Sequence, residues 1–179
     1  MEAKTKKAFV DSNLGKDKLL GRPIQLNHKT LEPIKGKNYA EILFFGDLHL
    51  GHPECQIQKA KEMLDYALKH KIYIFCQGDM VEAGLSTSIG DSVYMQKLNP
   101  QQQMEEVIDL LQPLADANLI IGYLSGNHEG RIIKTTSIDI SKIICRQLGV
   151  SYLSYAGWTV VSVNGIRYSM YCTHGTGGS

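Results

Sequence analysis

Four short polar clusters, each beside a glycine, hold most of the chemistry this chain can do. They are Gly46-Asp47-Leu48-His49, Gly78-Asp79, Gly126-Asn127-His128-Glu129 and Thr173-His174-Gly175. Together they offer carboxylate oxygen, imidazole nitrogen and amide oxygen but no thiolate, which is the donor mix of Mn, Fe or Zn hydrolytic centres. Taken singly, each cluster is weak. An Asp after a strand is often a turn or cap residue, and a loop histidine is ordinarily solvated or hydrogen-bonded. Four clusters in order, each at the carboxyl end of an apolar run, are harder to assign to capping, because ligand sites in α/β sheets lie at those ends. The glycines let the backbone turn sharply where a ligand must face inward.

The elements that must position these clusters follow from the periodicity. Residues 41–45, 72–76 and 119–124 are short apolar runs closed by glycine, the pattern of buried strands. Residues 56–71 place Ala60, Met63, Leu64, Ala67 and Leu68 on one helical face. A helix opening at Pro100 does the same with Met104, Val107, Ile108, Leu111, Leu114 and Ala115. Ser137 is the expected N-cap of a third helix through Leu148, with Ile140, Ile143 and Ile144 inward and Gly149 as its stop. Residues 150–153 predict a fourth strand. Residues 158–163 and 166–172 flank Asn164-Gly165, a strong hairpin signal. The order βαβαβαβ plus a hairpin predicts an α/β fold, with a mainly parallel sheet covered by helices and antiparallel strands that build a second sheet.

Composition narrows the class further. Among 179 residues, 43% are hydrophobic and 21% charged, an ordinary globular balance that excludes a disordered or fibrous chain. No apolar run approaches the roughly 20 residues of a membrane span, so no membrane association is expected. Cys55, Cys76, Cys145 and Cys172 form no CxxC pair and are expected as reduced thiols of a cytoplasmic protein. The net charge of +1 hides an asymmetry: residues 1–40 carry nine basic and four acidic side chains. They are expected as a solvated basic leader, a stretch able to meet phosphates, with the domain proper over 41–179.

In order and type, the four clusters resemble the D-x-H, G-D, G-N-H-[DE] and H-G motifs of the calcineurin-like metallophosphoesterases, over about residues 41–175. Asp47-Leu48-His49-Leu50-Gly51 is similar to the opening motif of the double-strand-break-repair nucleases of that superfamily. Gly126-Asn127-His128-Glu129 is closer to the version in its protein phosphatases. The resemblance implies a β-sandwich flanked by helices and a centre of two divalent metals (Mn, Fe or Zn). It implies that Asp47 and His49 hold the first metal, Asp79 bridges both, and Asn127 and His174 hold the second. His128 is then the catalytic group that protonates the leaving oxygen or stabilises the transferring phosphoryl group. Two cations about 3.5–4 Å apart polarise phosphoryl oxygens and lower the pKa of a shared water. In-line attack then needs an acid on the leaving-group side, a role that suits histidine.

One departure stands out. None of the six histidines forms the family's final G-H-x-H motif, so the domain is expected to be cut short before its last strands, with three protein ligands left for each metal. The exposed hairpin edge is then a candidate for self-association. Arg131 is a candidate substrate-phosphate ligand, and Glu82 with the loop 84–99 a candidate substrate wall. His52 is expected at a loop surface, His70 as a structural helix-end cation, and Trp158 and Tyr155 in packing. The expected activity is hydrolysis of a phosphodiester, with nucleic acid as one candidate substrate. A phosphomonoesterase and an inert phosphate- or nucleic-acid-binding module are the alternatives.

Overall fold

Three apolar runs lie side by side as the central sheet. The computed structural model describes residues 18–19, 22–23, 25–86 and 92–175. In it, β1 (Lys18–Leu19) and β2 (Arg22–Pro23) pair with each other, and β3 spans Gln25–Thr30. Next, β4 (Ile42–Phe45), β5 (Tyr73–Cys76) and β6 (Ile120–Tyr123) pair in parallel in that order. Each falls within one residue of its predicted run. Every residue of β5 and β6 is buried, as expected of strands that read as continuous apolar runs. The expected fourth strand shrinks to one bridge, Tyr123 to Tyr152. Positive φ at Gly149 and Ser154 bends the backbone on both sides of that segment and leaves it too short to continue the ladder.

Among the described residues, five helices connect or flank the strands: α1 (Ile57–His70), α2 (Ser92–Met95), α3 (Pro100–Asp116), α4 (Asn127–Thr136) and α5 (Ile140–Leu148). None of the described helices is long and apolar enough to cross a membrane. The α3 start is a capping box. Gln102 N–H donates to Asn99 Oδ1, Asn99 N–H donates to Gln102 Oε1, both at 3.0 Å, and Pro100 takes the first turn. Asn99→Ala is expected to cost about 1 kcal/mol, which calorimetry would register as a drop of roughly 2–4 °C in melting temperature. An unchanged midpoint would mean the box adds nothing to this helix. Ser137 is not an N-cap. With φ 60° it closes α4 as a left-handed C-cap, while Asp139 caps α5 by accepting from Lys142 N–H at 2.9 Å. Met63 and Ile143, expected inward, are exposed at the margins of their helical faces.

A second sheet has the order β3-β7-β8, with β7 at Ala156–Val163 and β8 at Ile166–Thr173. Its hairpin turns on Asn164 (φ 49°) and Gly165 (φ 78°), the paired positive φ of a type I′ turn. The stretch expected as a basic leader contributes β3, which runs parallel to β7 with Asn27 opposite Thr159. Of that stretch, residues 1–17, 20, 21 and 24 lie outside the described residues, as do 87–91 of the loop 84–99. β3 inverts the usual burial: Leu26 is exposed, and Asn27 is buried with its Nδ2 donating to Ile121 O across the sheets at 2.8 Å. Trp158, expected in packing, is 42% exposed on the outer face, its ring 5.3 Å from that of Tyr171. Besides the β1–β2 pair, the described residues form an α/β architecture of two three-stranded sheets flanked by helices.

Candidate metal centre

Past the ends of β4 and β5 the two segments keep a parallel ladder going. Asp47 N–H donates to Gly78 O, His49 N–H to Asp79 O, Leu50 N–H to Met80 O and Glu82 N–H to Leu50 O, all at 2.9–3.0 Å. Within this ladder Asp47, His49, Asp79 and Ala83 all have φ between 48° and 52°. Non-glycine residues hold such a conformation only when the surroundings impose it, so the ladder holds backbone strain at the very residues that carry the polar groups. The loop after β6 closes in on this pair. A Cβ on Gly126 would fall on the Asp79 carboxylate, and one on Gly78 would lie 2.6 Å from the Gly126 nitrogen. Glycine at both positions is a steric requirement of three loops meeting at one point.

Asp79 lies at that point and is 3% exposed. Its Oδ1 accepts the His128 N–H at 2.9 Å, while its Oδ2 faces three imidazole Nε2 atoms: His174 at 3.3 Å, His49 at 3.9 Å and His128 at 4.0 Å. The opposite nitrogen of each ring is already engaged. His174 Nδ1 donates to Gln77 O at 2.7 Å, His49 Nδ1 to Glu82 Oε2 at 3.2 Å, and His128 Nδ1 to Glu82 O at 2.7 Å. A neutral imidazole has a single N–H, so these bonds turn lone pairs toward a carboxylate. Imidazole lone pairs and carboxylate oxygens turned toward one point are the arrangement that a bound cation satisfies. Asp47, Asp79 and His174 have ligand atoms within 4.8 Å of one another, and so do His49, Glu82 and His128. Asn127 Oδ1, 3.0 Å from His174 Nε2, adds an amide oxygen. The donor set therefore fits a divalent metal bound by oxygen and imidazole. Asp47 and Asn127 are exposed where Asp79 and Glu82 are buried, so the centre has a closed floor and an open mouth.

His128 and Arg131 form one unit with Glu82. The Arg131 guanidinium lies 2.9 Å from His128 Nε2 and 3.7 Å from Glu82 Oε1. Burial, with the nearby guanidinium and His49 adding to it, holds His128 below the usual imidazole pKa. The His49 and His128 rings meet edge to face at 4.3 Å. Arg131, expected to reach for substrate phosphate, thus spends its charge first on a histidine and a carboxylate of the site. His52 stays in a local turn, its Nδ1 accepting from Glu54 N–H, and His70 packs on Tyr66 at the end of α1. Cys76 is fully buried and its thiol pushed up to about 12 by burial, so no thiolate is on offer.

The structure brings Asp47, His49, Asp79, Asn127, His128, Arg131 and His174 to one place. It gives Glu82 a larger part than a substrate wall. Its carboxylate and its carbonyl orient two histidines, a carboxylate–histidine arrangement common beside metals. The only sequence signal for this was a second carboxylate three residues after Asp79. Glu129, part of the third cluster but given no role from sequence, is completely buried, and burial raises its carboxyl pKa to about 7 against the pull of backbone N–H donors.

Compared with known families, residues 40–177 match the model for calcineurin-like phosphoesterases. Comparison with curated proteins finds no match.

Proposed function

Since the chain belongs to the calcineurin-like phosphoesterases, a family of metal-dependent phosphoester hydrolases, we propose that this centre hydrolyses a phosphodiester with two divalent cations. Asp47, His49 and Asp79 would hold one ion, and Asp79, Asn127 and His174 the other. Such ions polarise phosphoryl oxygens and lower the pKa of water. The chain's own groups do the rest. Glu82 fixes His49 and His128 with Nε2 toward the centre. Only as an imidazolium, with Nδ1–H held by Glu82 O, would His128 have an Nε2 proton to pass to the departing oxygen, and Arg131 beside it would bring positive charge to the phosphoryl oxygens. The observation that carries this reading is the convergence of three Nε2 atoms on Asp79 Oδ2.

A diester fits better than a monoester for a reason of charge. Among the described residues Arg131 is the guanidinium in contact with the site, and Glu82 already partly neutralises it. A diester monoanion asks less of it than a monoester dianion. The similarity of Asp47-Leu48-His49-Leu50-Gly51 to the repair-nuclease motif supports the same class, and nucleic acid is the proposed source of the diester. The test is turnover of bis(p-nitrophenyl) phosphate against p-nitrophenyl phosphate in Mn²⁺. Metal-dependent hydrolysis of the diester at the higher kcat/KM is expected, abolished by EDTA and restored by added metal. A preference for the monoester would overturn the diester reading, and metal-independent turnover would overturn the whole site.

A further inference from the structure

We propose that Glu129 is a positioning residue whose buried carboxylate clasps the loop after β5 to the loop after β6, and so aims the Asp79 carboxylate at the ligand imidazoles. The inference rests on the reading of this site as a metal centre. Glu129 Oε2 accepts the N–H of Asp79 at 3.1 Å and of Gly126 at 2.9 Å, and Oε1 accepts the N–H of Met80 at 2.8 Å. Capping α4 explains only the Gly126 bond. The bonds to Asp79 and Met80 reach back 50 and 49 residues along the chain. They hold the backbone where Asp79 sits at φ 49°. Asp79 answers by accepting the His128 N–H on Oδ1, so each loop's carboxylate caps the other's backbone. With Oδ1 pinned, Oδ2 is the oxygen that meets His174, His49 and His128.

Three N–H donors around two oxygens call for a carboxylate. A glutamine there must turn its amide N–H₂ against a backbone donor, whichever way it is flipped. The clasp is tested on the metal-free chain by residue-resolved amide hydrogen exchange, and on the same samples by Mn²⁺ titration, for the parent, Glu129→Gln and Glu129→Asp. In Glu129→Gln, the amides of Asp79, Met80 and Gly126 should exchange about 10–100 times faster, with β5 and β6 unchanged. Mn²⁺ affinity should fall about 10–100-fold, the usual cost of removing a group that orients a ligand. Glu129→Asp, one methylene shorter but still anionic, should lie between. Unchanged exchange at the three amides, or unchanged Mn²⁺ affinity, would overturn the proposal. So would loss of protection spread evenly over the sheet, which would make Glu129 a support of the fold at large. If the parent itself took up no Mn²⁺, the proposed function would fall, while the exchange pattern would still decide whether the clasp exists.

Discussion

Asp79→Asn is expected to strip the chain of divalent metal altogether rather than of a single equivalent. Asparagine keeps the shape of the side chain and can still accept the His128 N–H that Asp79 Oδ1 takes now. What changes is the other atom, which becomes an amide donor without charge at the point where three Nε2 lone pairs meet. Losing an orienting group beside a metal costs about 10–100-fold in affinity, so losing the shared anionic ligand should exceed about 100-fold. Elemental analysis after gel filtration, with calorimetric Mn²⁺ titration, would measure it, and near-ultraviolet circular dichroism would show that the fold persists. Retention of one tightly held equivalent would show that Asp79 serves one ion and that the bridging assignment is wrong.

His128→Ala should do the opposite and spare the metal while removing turnover. A general acid contributes about 10²–10⁴ in rate, and the loss should depend on the leaving group. A p-nitrophenolate departs without a proton and should lose least, whereas an alkoxide should lose the full factor. The structure makes this a demanding test, because His128 belongs to a compact group with His49 and Glu82 that could itself hold a cation. If metal content fell in His128→Ala as it does in Asp79→Asn, His128 would be a ligand and the proton donor would have to be sought elsewhere.

The central sheet was legible in the sequence because β5 and β6 are buried on both faces and so read as unbroken apolar runs. The four polar clusters were legible because each follows such a run or the hairpin's last strand. The failures have their own physics. α4 escaped because Asn127, His128 and Gly130 at its start are poor helix formers. The Asp79 carboxylate compensates from across the fold by accepting the His128 N–H, and Glu129 compensates from within the helix by capping Gly126. Glu82 escaped as a site residue because its role depends on a loop conformation with positive φ at Asp79 and Ala83, which no local pattern announces. β3 escaped because its one buried polar side chain, Asn27, is satisfied by a carbonyl of the other sheet. Tertiary contacts decided all three.

That last strand has a consequence for the order of events on the ribosome. Asn27 pairs opposite Thr159, so the segment leaves the exit tunnel about 130 residues before its partner strand exists. At roughly 5–20 residues per second the delay is on the order of ten seconds. Throughout that interval β4, β5 and β6 can be assembled from neighbouring βαβ units, while β3 has no native edge to join. A run of valine and isoleucine left waiting would invite pairing between nascent chains. Gln-Leu-Asn-His-Lys-Thr does not, since its lysine and amides keep an orphaned strand hydrated. The polar character that hides β3 from a pattern search protects the newborn chain from premature association.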